Sequence, residues 1–333
     1  MSLEDLEARR QKSFGAFSVL ADGIISEYIL SKLSAEELAL SSRISKFFYV
    51  FAHDDQLWKK HCLDKWGRDG EVMENFVYRG SWLLSYLFPT LMSEKEERVI
   101  WNHPACQTLR FSDISSHYLY AKWCRCNMDL SNFVPSPDLP PETTIRVEDG
   151  RKLTKERFEA FFDAQAIPVL IKDGGVDEWR AWKDWKWENL FQKLLFRVAN
   201  DHGGINRYFL MTLKSYAHYM KIQRDETPLY IFDNEFADRN LEMADAYEVP
   251  KYFQRDLFET LFEGRPPYRW MIIGPARSGL AISRTGMNGH QSLFNEEILD
   301  DTKDSATSLL WYLEVYPQLE PGALPLEIVQ EPG

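Results

Sequence analysis

Several groupings of side chains in this 333-residue sequence have types and spacings that suggest chemistry. His103, Cys106, Cys124 and Cys126 offer a Cys₃His donor set of the kind that holds structural zinc. Cys124-x-Cys126 is tighter than the usual Cys-x₂₋₄-Cys spacing, so free thiols are the preferred reading. His53-Asp54-Asp55 matches His-x-Asp as letters but opens a helix, where Asp acts as a cap. His290 stands near Glu296 and Glu297 without a second spaced His; His202 in a Gly-containing loop and His218 on an amphipathic helix add no further donor set. Trp179, Trp182, Trp185 and Trp187 crowd one segment and would either stack on a methylated cation or, as preferred, pack structurally. Tyr230 on a short apolar run is by itself a core residue.

The elements that must position these residues follow from periodicity. Lys214 to Gln223 is amphipathic at helical spacing, while Pro228 to Phe232 and Arg269 to Ile273 are short apolar runs, the second closed by Gly274-Pro275. Upstream, Thr144 to Val147 opens a strand, Leu153 to Phe162 reads as a capped helix and Ile167 to Ile171 as a buried strand. Residues 17 to 66 read as a helical bundle. Leu20, Ile24, Ile25, Tyr28, Ile29 and Leu33 repeat at three- and four-residue spacing, and Ser34-Ala35-Glu36-Glu37 is a capping box. Leu38, Leu40, Ile44, Phe47, Phe48 and Phe51 continue the apolar face, and Asp54 or Asp55 caps a last helix carrying Leu57, Trp58 and Cys62. Residues 67 to 134 extend this bundle, and Pro135 to Pro141 reads as a stiff linker.

Composition narrows the class. A 44% hydrophobic and 14% aromatic content suffices for packed cores in more than one domain. No run reaches the apolar length of a membrane span, and the charged N-terminus has no apolar core, so an intracellular, nuclear or cytoplasmic place is expected. A net charge of −12 argues against charge-driven nucleic-acid binding but suits a basic protein partner such as a histone. Four cysteines in so long a chain do not resemble a disulfide framework.

From Met211 to Gly279 the chain carries Arg224-Asp225-Glu226-Thr227-Pro228-Leu229-Tyr230-Ile231-Phe232-Asp233, then Val249-Pro250-Lys251-Tyr252-Phe253, Pro266-Pro267-Tyr268-Arg269-Trp270 and Gly274-Pro275-Ala276-Arg277-Ser278-Gly279. This ordered series closely resembles the Jumonji C oxygenases of the phosphatidylserine-receptor type. The resemblance implies a double-stranded β-helix that binds Fe(II) by two His and one carboxylate, with 2-oxoglutarate beside the metal. It also places Tyr230 at a 2-oxoglutarate contact and the Trp cluster on the outer wall of the barrel. The family's ligand strand carries His-x-Asp; here Ser283 and Thr285 occupy those positions, and neutral hydroxyls bind Fe(II) poorly. Residues 283 to 297 match nothing in the family, and the resemblance returns at Ser305 to Tyr312. The expectation is therefore an incomplete barrel with no iron, no 2-oxoglutarate and no catalytic residue.

Residues 17 to 66 resemble an F-box through Ser34-Ala35-Glu36-Glu37-Leu38, Ser42-Arg43-Ile44-Ser45-Lys46-Phe47-Phe48-Tyr49 and Leu57-Trp58-Lys59-Lys60, with Leu20-Ala21 standing where Leu-Pro is usual. An F-box implies binding to the Skp adaptor of a cullin–RING ubiquitin ligase, here through Leu20, Ile24, Ile29 and Leu33; the competing reading is that these four fill the bundle core. The expected fold class is α+β: an all-α F-box at 17–66, a helical extension at 67–134, a linker at 135–141 and an incomplete Jumonji C-like, cupin-type domain at 142–333. The function expected first is a ubiquitin-ligase substrate receptor or scaffold with an inactive oxygenase-like domain. The alternative is an Fe(II)- and 2-oxoglutarate-dependent protein hydroxylase or histone demethylase, should the native gene product restore the ligand strands.

Overall fold

The computed structural model describes residues 3–66, 75–90, 114–129, 145–186, 195–200, 207–256, 258–264 and 269–275, with shorter pieces at 93, 98, 100, 102–106, 109, 111, 266, 278, 282–283, 305–306, 313, 316–320 and 322. The expected linker at 135–141, Trp187, His202, Thr285 and the segment carrying His290, Glu296 and Glu297 lie outside the described residues. The chain forms two units. One comprises Met1–Asp129, Val198–Asn200 and Arg207–Pro228; the other comprises Leu130–Arg197, Asp201–Asn206 and Leu229–Gly333. The residues from 207 to 228, part of the Jumonji-like stretch by sequence, thus group with the N-terminal helices.

The first unit is mainly helical. Helix α1 (Leu3–Phe14) ends at Gly15, whose φ of 56° lies in the left-handed region that glycine adopts without steric cost. Leu20 is extended, and the chain then winds widely over Ile24–Ile29 and tightly over Leu30–Lys32, so the expected single helix is broken into short turns. The Ser34 capping box is present: Glu37 N–H donates to Ser34 Oγ at 3.2 Å and Ser34 N–H to Glu37 Oε2 at 2.8 Å, starting α2 (Ala35–Ser41). Ser45 Oγ caps α3 (Lys46–Ala52), accepting from Phe48 N at 3.3 Å. Asp54 Oδ1 accepts from Gln56 N at 3.2 Å where α4 (Asp55–Trp66) begins.

Ile25, Leu30, Leu38, Phe47, Phe51 and Leu57 are buried in this unit. The Phe14 ring lies 4.6 Å from that of Phe47 and 5.5 Å from those of Phe48 and Phe51, close enough for tilted and edge-on aromatic packing. Helix α5 (Trp82–Leu87) packs on α4, and α6 (His117–Cys126) starts at Ser116, whose Oγ accepts from Leu119 N at 3.2 Å.

In the second unit β1 (Arg146–Asp149) runs parallel to β2 (Val169–Lys172), pairing Arg146 with Val169 and Asp149 with Lys172. Strand β2 is half-buried rather than fully buried as its apolar sequence suggested; Val169 and Ile171 pack against the cluster of Leu153, Phe162 and Tyr252. The helix expected over 153–162 forms as α7 (Lys155–Arg157), capped by Thr154, and widens over Phe158–Asp163; α8 (Arg180–Asp184) follows. The Tyr252 hydroxyl donates to the carbonyls of Gly150 (3.1 Å) and Leu153 (3.0 Å), and Lys251 Nζ donates to Gly150 O at 3.0 Å, which gives the Val249 to Phe253 motif a structural role.

Strand β3 (Leu195–Asn200) is divided between the units at Arg197 and Val198. The first unit holds β4 (Arg207–Thr212), which leads into α9 (Leu213–Ile222), capped by Thr212. The second unit holds β5 (Tyr230–Asp233), which pairs antiparallel with β6 (Met271–Ile273) in the register Ile231 to Ile273 and Asp233 to Met271. Two-residue strands β7 (Ile282–Ser283) and β8 (Ser305–Ala306) pair antiparallel, Ser283 opposite Ser305. The fold class is α+β.

Candidate functional site

The apolar series between residues 20 and 44 divides into two sets. Ile25, Leu30 and Leu38 are buried. Ile24 (43%), Tyr28 (60%), Leu40 (59%) and Ile44 (68%) are exposed. Leu20, Ile29 and Leu33 are half-buried. None of the four residues singled out by sequence, Leu20, Ile24, Ile29 and Leu33, belongs to the buried core. The break-up of the expected helix explains this, since a wide turn followed by a tight one rotates successive apolar residues off a common stripe.

One side of the turn that carries Ile24 is held by polar contacts to α6. Ser116 Oγ donates to Asp22 Oδ2 at 2.5 Å, Tyr118 OH to Glu27 Oε1 at 2.9 Å, and Lys122 Nζ to Asp54 Oδ2 at 2.6 Å. Asp54 Oδ2 also accepts from Ser26 Oγ at 3.1 Å, and Arg10 pairs with Asp22 from α1. A Cβ on Gly23 would lie 3.4 Å from the Tyr118 ring, which marks how closely the two elements approach.

Beneath this surface the first unit contains a buried polar cluster that sequence reading missed. Asp225 is 1% exposed and accepts from Trp82 Nε1 at 2.8 Å and Tyr219 OH at 2.6 Å, and it pairs with Lys59 Nζ at 3.2 Å. Lys59 also donates to the Thr227 carbonyl, and His218 Nε2 lies 2.9 Å from Tyr78 O. Asp55 Oδ1 accepts from Ser81 Oγ (2.9 Å), Trp82 N (2.7 Å) and Leu83 N (3.4 Å), so it caps α5 rather than its own helix. Burial, followed by the charge of Asp225, pushes the Asp55 carboxyl up to about 7, against the pull of its hydrogen bonds. Burial likewise raises the Cys62 thiol and the Tyr78 hydroxyl well above their ordinary values. Sequence gives no positive signal for this cluster: Asp225 and Glu226 sit between an amphipathic helix and an apolar strand.

In the second unit Tyr230 is buried on β5, its ring 6.1 Å from that of Phe232, which in turn lies 4.3 Å from Trp270. Gly274, just after β6, approaches closely: a Cβ there would lie 3.6 Å from Tyr230 Cβ and 3.0 Å from Ser278 Cβ. Asp233, fully buried, is committed to structure, accepting from Arg197 N and Glu235 N, both at 2.8 Å, and pairing with Arg239. Trp179 and Trp185 flank Tyr247 at 6.0 and 5.8 Å, a packing role, whereas Trp182 is exposed.

The F-box-like family matches residues 25–64. The chain is 31% identical to the lysine-specific demethylase JMJ21 of Arabidopsis thaliana, over 98% of this chain and 35% of that protein. It is 31% identical to the arginine-specific demethylase JMJ22 of the same plant, over 81% of this chain and 49% of the relative. The bifunctional arginine demethylase and lysyl-hydroxylase psr-1 of Caenorhabditis briggsae is 40% identical, over 46% of this chain and 40% of the relative. The chain joins an F-box-like segment to a Jumonji-related region. It spans between about a third and a half of the length of these curated relatives.

Iron does not fit the residues at the positions where the Jumonji resemblance places its ligands. By sequence, Ser283 and Thr285 offer neutral hydroxyls where the resemblance expects an imidazole and a carboxylate. Asp233, the carboxylate of β5, is already occupied by Arg239 and two backbone amides. Among the described residues no three His, Cys, Asp or Glu side chains come together to hold a metal, so His103, Cys106, Cys124 and Cys126 do not form the zinc set that their types suggested. Cys62, Cys106, Cys124 and Cys126 form no disulfide; Cys62 is buried and the other three are half-buried. Also among the described residues, no single helix is long and apolar enough to cross a membrane.

Proposed function

We propose that this chain engages the Skp adaptor of a cullin–RING ubiquitin ligase through the F-box, residues 17 to 66, and that the Jumonji-related region serves as a recognition surface without catalysing oxygenation. The observation that carries this reading is the exposure of Ile24, Tyr28, Leu40 and Ile44 beside a core already supplied by Ile25, Leu30 and Leu38. Apolar side chains left outside a complete core suit a helix-in-groove partner. The proposed contacts are the exposed Ile24 and, beside it, the half-buried Leu20, Ile29 and Leu33. The net charge of −12 favours a basic protein, such as a histone, as the molecule presented to the ligase, inside the nucleus or cytoplasm. Co-purification of the full chain with the Skp adaptor, abolished by Leu20→Asp with Ile24→Asp, is the expected result; wild-type protein that leaves the adaptor unbound refutes the reading.

A second reading is favoured by the relatives, whose names are those of demethylases and a lysyl-hydroxylase. On it the native gene product is an Fe(II)- and 2-oxoglutarate-dependent protein hydroxylase or histone demethylase, and Tyr230 contacts 2-oxoglutarate. Two measurements separate the readings: sequencing of the native transcript across codons 280 to 300, and a thermal shift with Fe(II) and 2-oxoglutarate. His-x-Asp in the transcript, or a ligand-dependent rise in melting temperature for the chain as written, favours the enzyme.

A further inference from the structure

The stretch Arg224 to Thr227 belongs by sequence to the Jumonji-related region and by packing to the F-box unit. We propose that it is a positioning strut of the F-box, holding α6 and through it the turn that carries Ile24. This inference rests on the adaptor reading for its functional consequence, though not for its structural one.

The contacts form a continuous series. Glu226 Oε1 accepts from Arg125 Nε at 2.7 Å, with both side chains largely buried, and Arg224 donates to Asn127 Oδ1 at 3.2 Å. These fix the C-terminal end of α6. Along the same helix Lys122, Tyr118 and its cap Ser116 reach Asp54, Glu27 and Asp22, so α6 touches the 22–27 turn at both of its ends and at the start of α4. Among the described residues α6 has no fully buried side chain, so apolar burial alone does not set its position; directed polar contacts do. Asp225 supplies a second tie, through Lys59 and Trp82, to α4 and α5. Breaking the Glu226–Arg125 pair removes the tie at the far end of α6, and the turn bearing Ile24 loses the support that presents it.

The experiment uses the full chain with Arg125→Glu, Glu226→Arg and the double charge swap. Hydrogen exchange across residues 22–33 is read by mass spectrometry, and the dissociation constant for the Skp adaptor is measured alongside. Each single variant is expected to speed exchange of that segment about tenfold and to weaken adaptor binding about tenfold, and the swap to restore both to within about threefold. Rescue by the swap separates positioning from general destabilisation. Asp233→Asn, in the other unit, is expected to leave residues 22–33 unchanged. Single variants with wild-type exchange at 22–33, or a swap that rescues nothing, overturn the proposal. Should the wild type fail to bind the adaptor, the proposed function falls while the exchange measurement still decides the strut.

Discussion

Replacing Asp55 by Asn asks how the buried carboxylates of the F-box unit are held. Asp55 Oδ1 accepts three hydrogen bonds at the start of α5, from Ser81 Oγ, Trp82 N and Leu83 N, and faces the charge of Asp225, which Lys59 partly offsets. Burial and that neighbour move the carboxyl from the ordinary 3.8 to about 7. A shift of about 3 units corresponds to a ceiling of about 4 kcal/mol. The residue keeps some solvent contact, and water screening reduces the realised effect to about 2 kcal/mol.

The sign follows from proton binding. The folded state holds the proton between roughly pH 4 and pH 7, where the unfolded chain has released it, so this contribution is full below the unfolded value and lost as pH rises through about 7. Asn keeps an acceptor oxygen for Ser81, Trp82 and Leu83 and does not titrate. Urea unfolding of the full chain and of Asp55→Asn, followed by Trp emission at intervals from pH 5 to pH 8, gives the difference directly. Wild type is expected to lose about 1 to 2 kcal/mol relative to the variant across that range. A difference that stays constant with pH, or that grows in favour of wild type, refutes the account.

Ser34→Ala removes one half of the capping box at α2 and is expected to cost about 1 kcal/mol in the same urea assay. Gly150→Ala would put a Cβ 2.7 Å from Gly174 Cα and 3.0 Å from Asp173 O, backbone atoms that cannot rotate away, so a loss of about 2 to 3 kcal/mol and a lower Tm are expected. Gly274→Ala meets a side chain instead, Ser278, whose hydroxyl gives up its 2.6 Å bond to Pro275 O. The expected cost is about 1 to 2 kcal/mol, with Ser278→Ala relieving part of it. Ile24→Glu lies on an exposed side chain and is expected to change stability by less than about 0.5 kcal/mol while weakening adaptor binding by about 2 kcal/mol or more, so a calorimetric titration beside a melting curve separates contact from folding.

Much of the local structure was legible because its signals are short-range. Ser34 to Glu37 announces a helix start through side chains three residues apart, and the helix of 213–222 and the strands at 230–233 and 271–273 lie within a few residues of where periodicity put them. The apolar series from Leu20 to Ile44 is helical at Ile24 to Leu30 and at Leu38 and Leu40, but Leu20 and Leu33 are extended, and its division between core and surface does not follow its spacing. Periodicity assumes one pitch, and the wide turn at Ile24–Ile29 followed by the tight one at Leu30–Lys32 changes the pitch twice. The candidate adaptor contacts could therefore be named from sequence, while the structure alone shows that Ile24 is exposed and that Leu20, Ile29 and Leu33 are half-buried.

The polar cluster was illegible for a different reason. A loop that reads Arg224-Asp225-Glu226-Thr227 is solvated by any local criterion, and its partners Lys59, Trp82 and Arg125 are separated from it by about a hundred residues or more. The adjacent pair Asp54 and Asp55 shows the limit most clearly. Sequence says that one of them caps a helix; in the folded chain both do, Asp54 its own and Asp55 the helix of Trp82–Leu87, twenty-seven residues on. A carboxylate taken out of water must find donors, and the amides at a helix start are donors whichever helix they open. Asp54 can reach those of α4 because it precedes them in the chain. Asp55 reaches those of α5 only because α5 packs against α4, so its role is fixed by the same packing that buries Asp225, and it cannot be assigned until that packing is known.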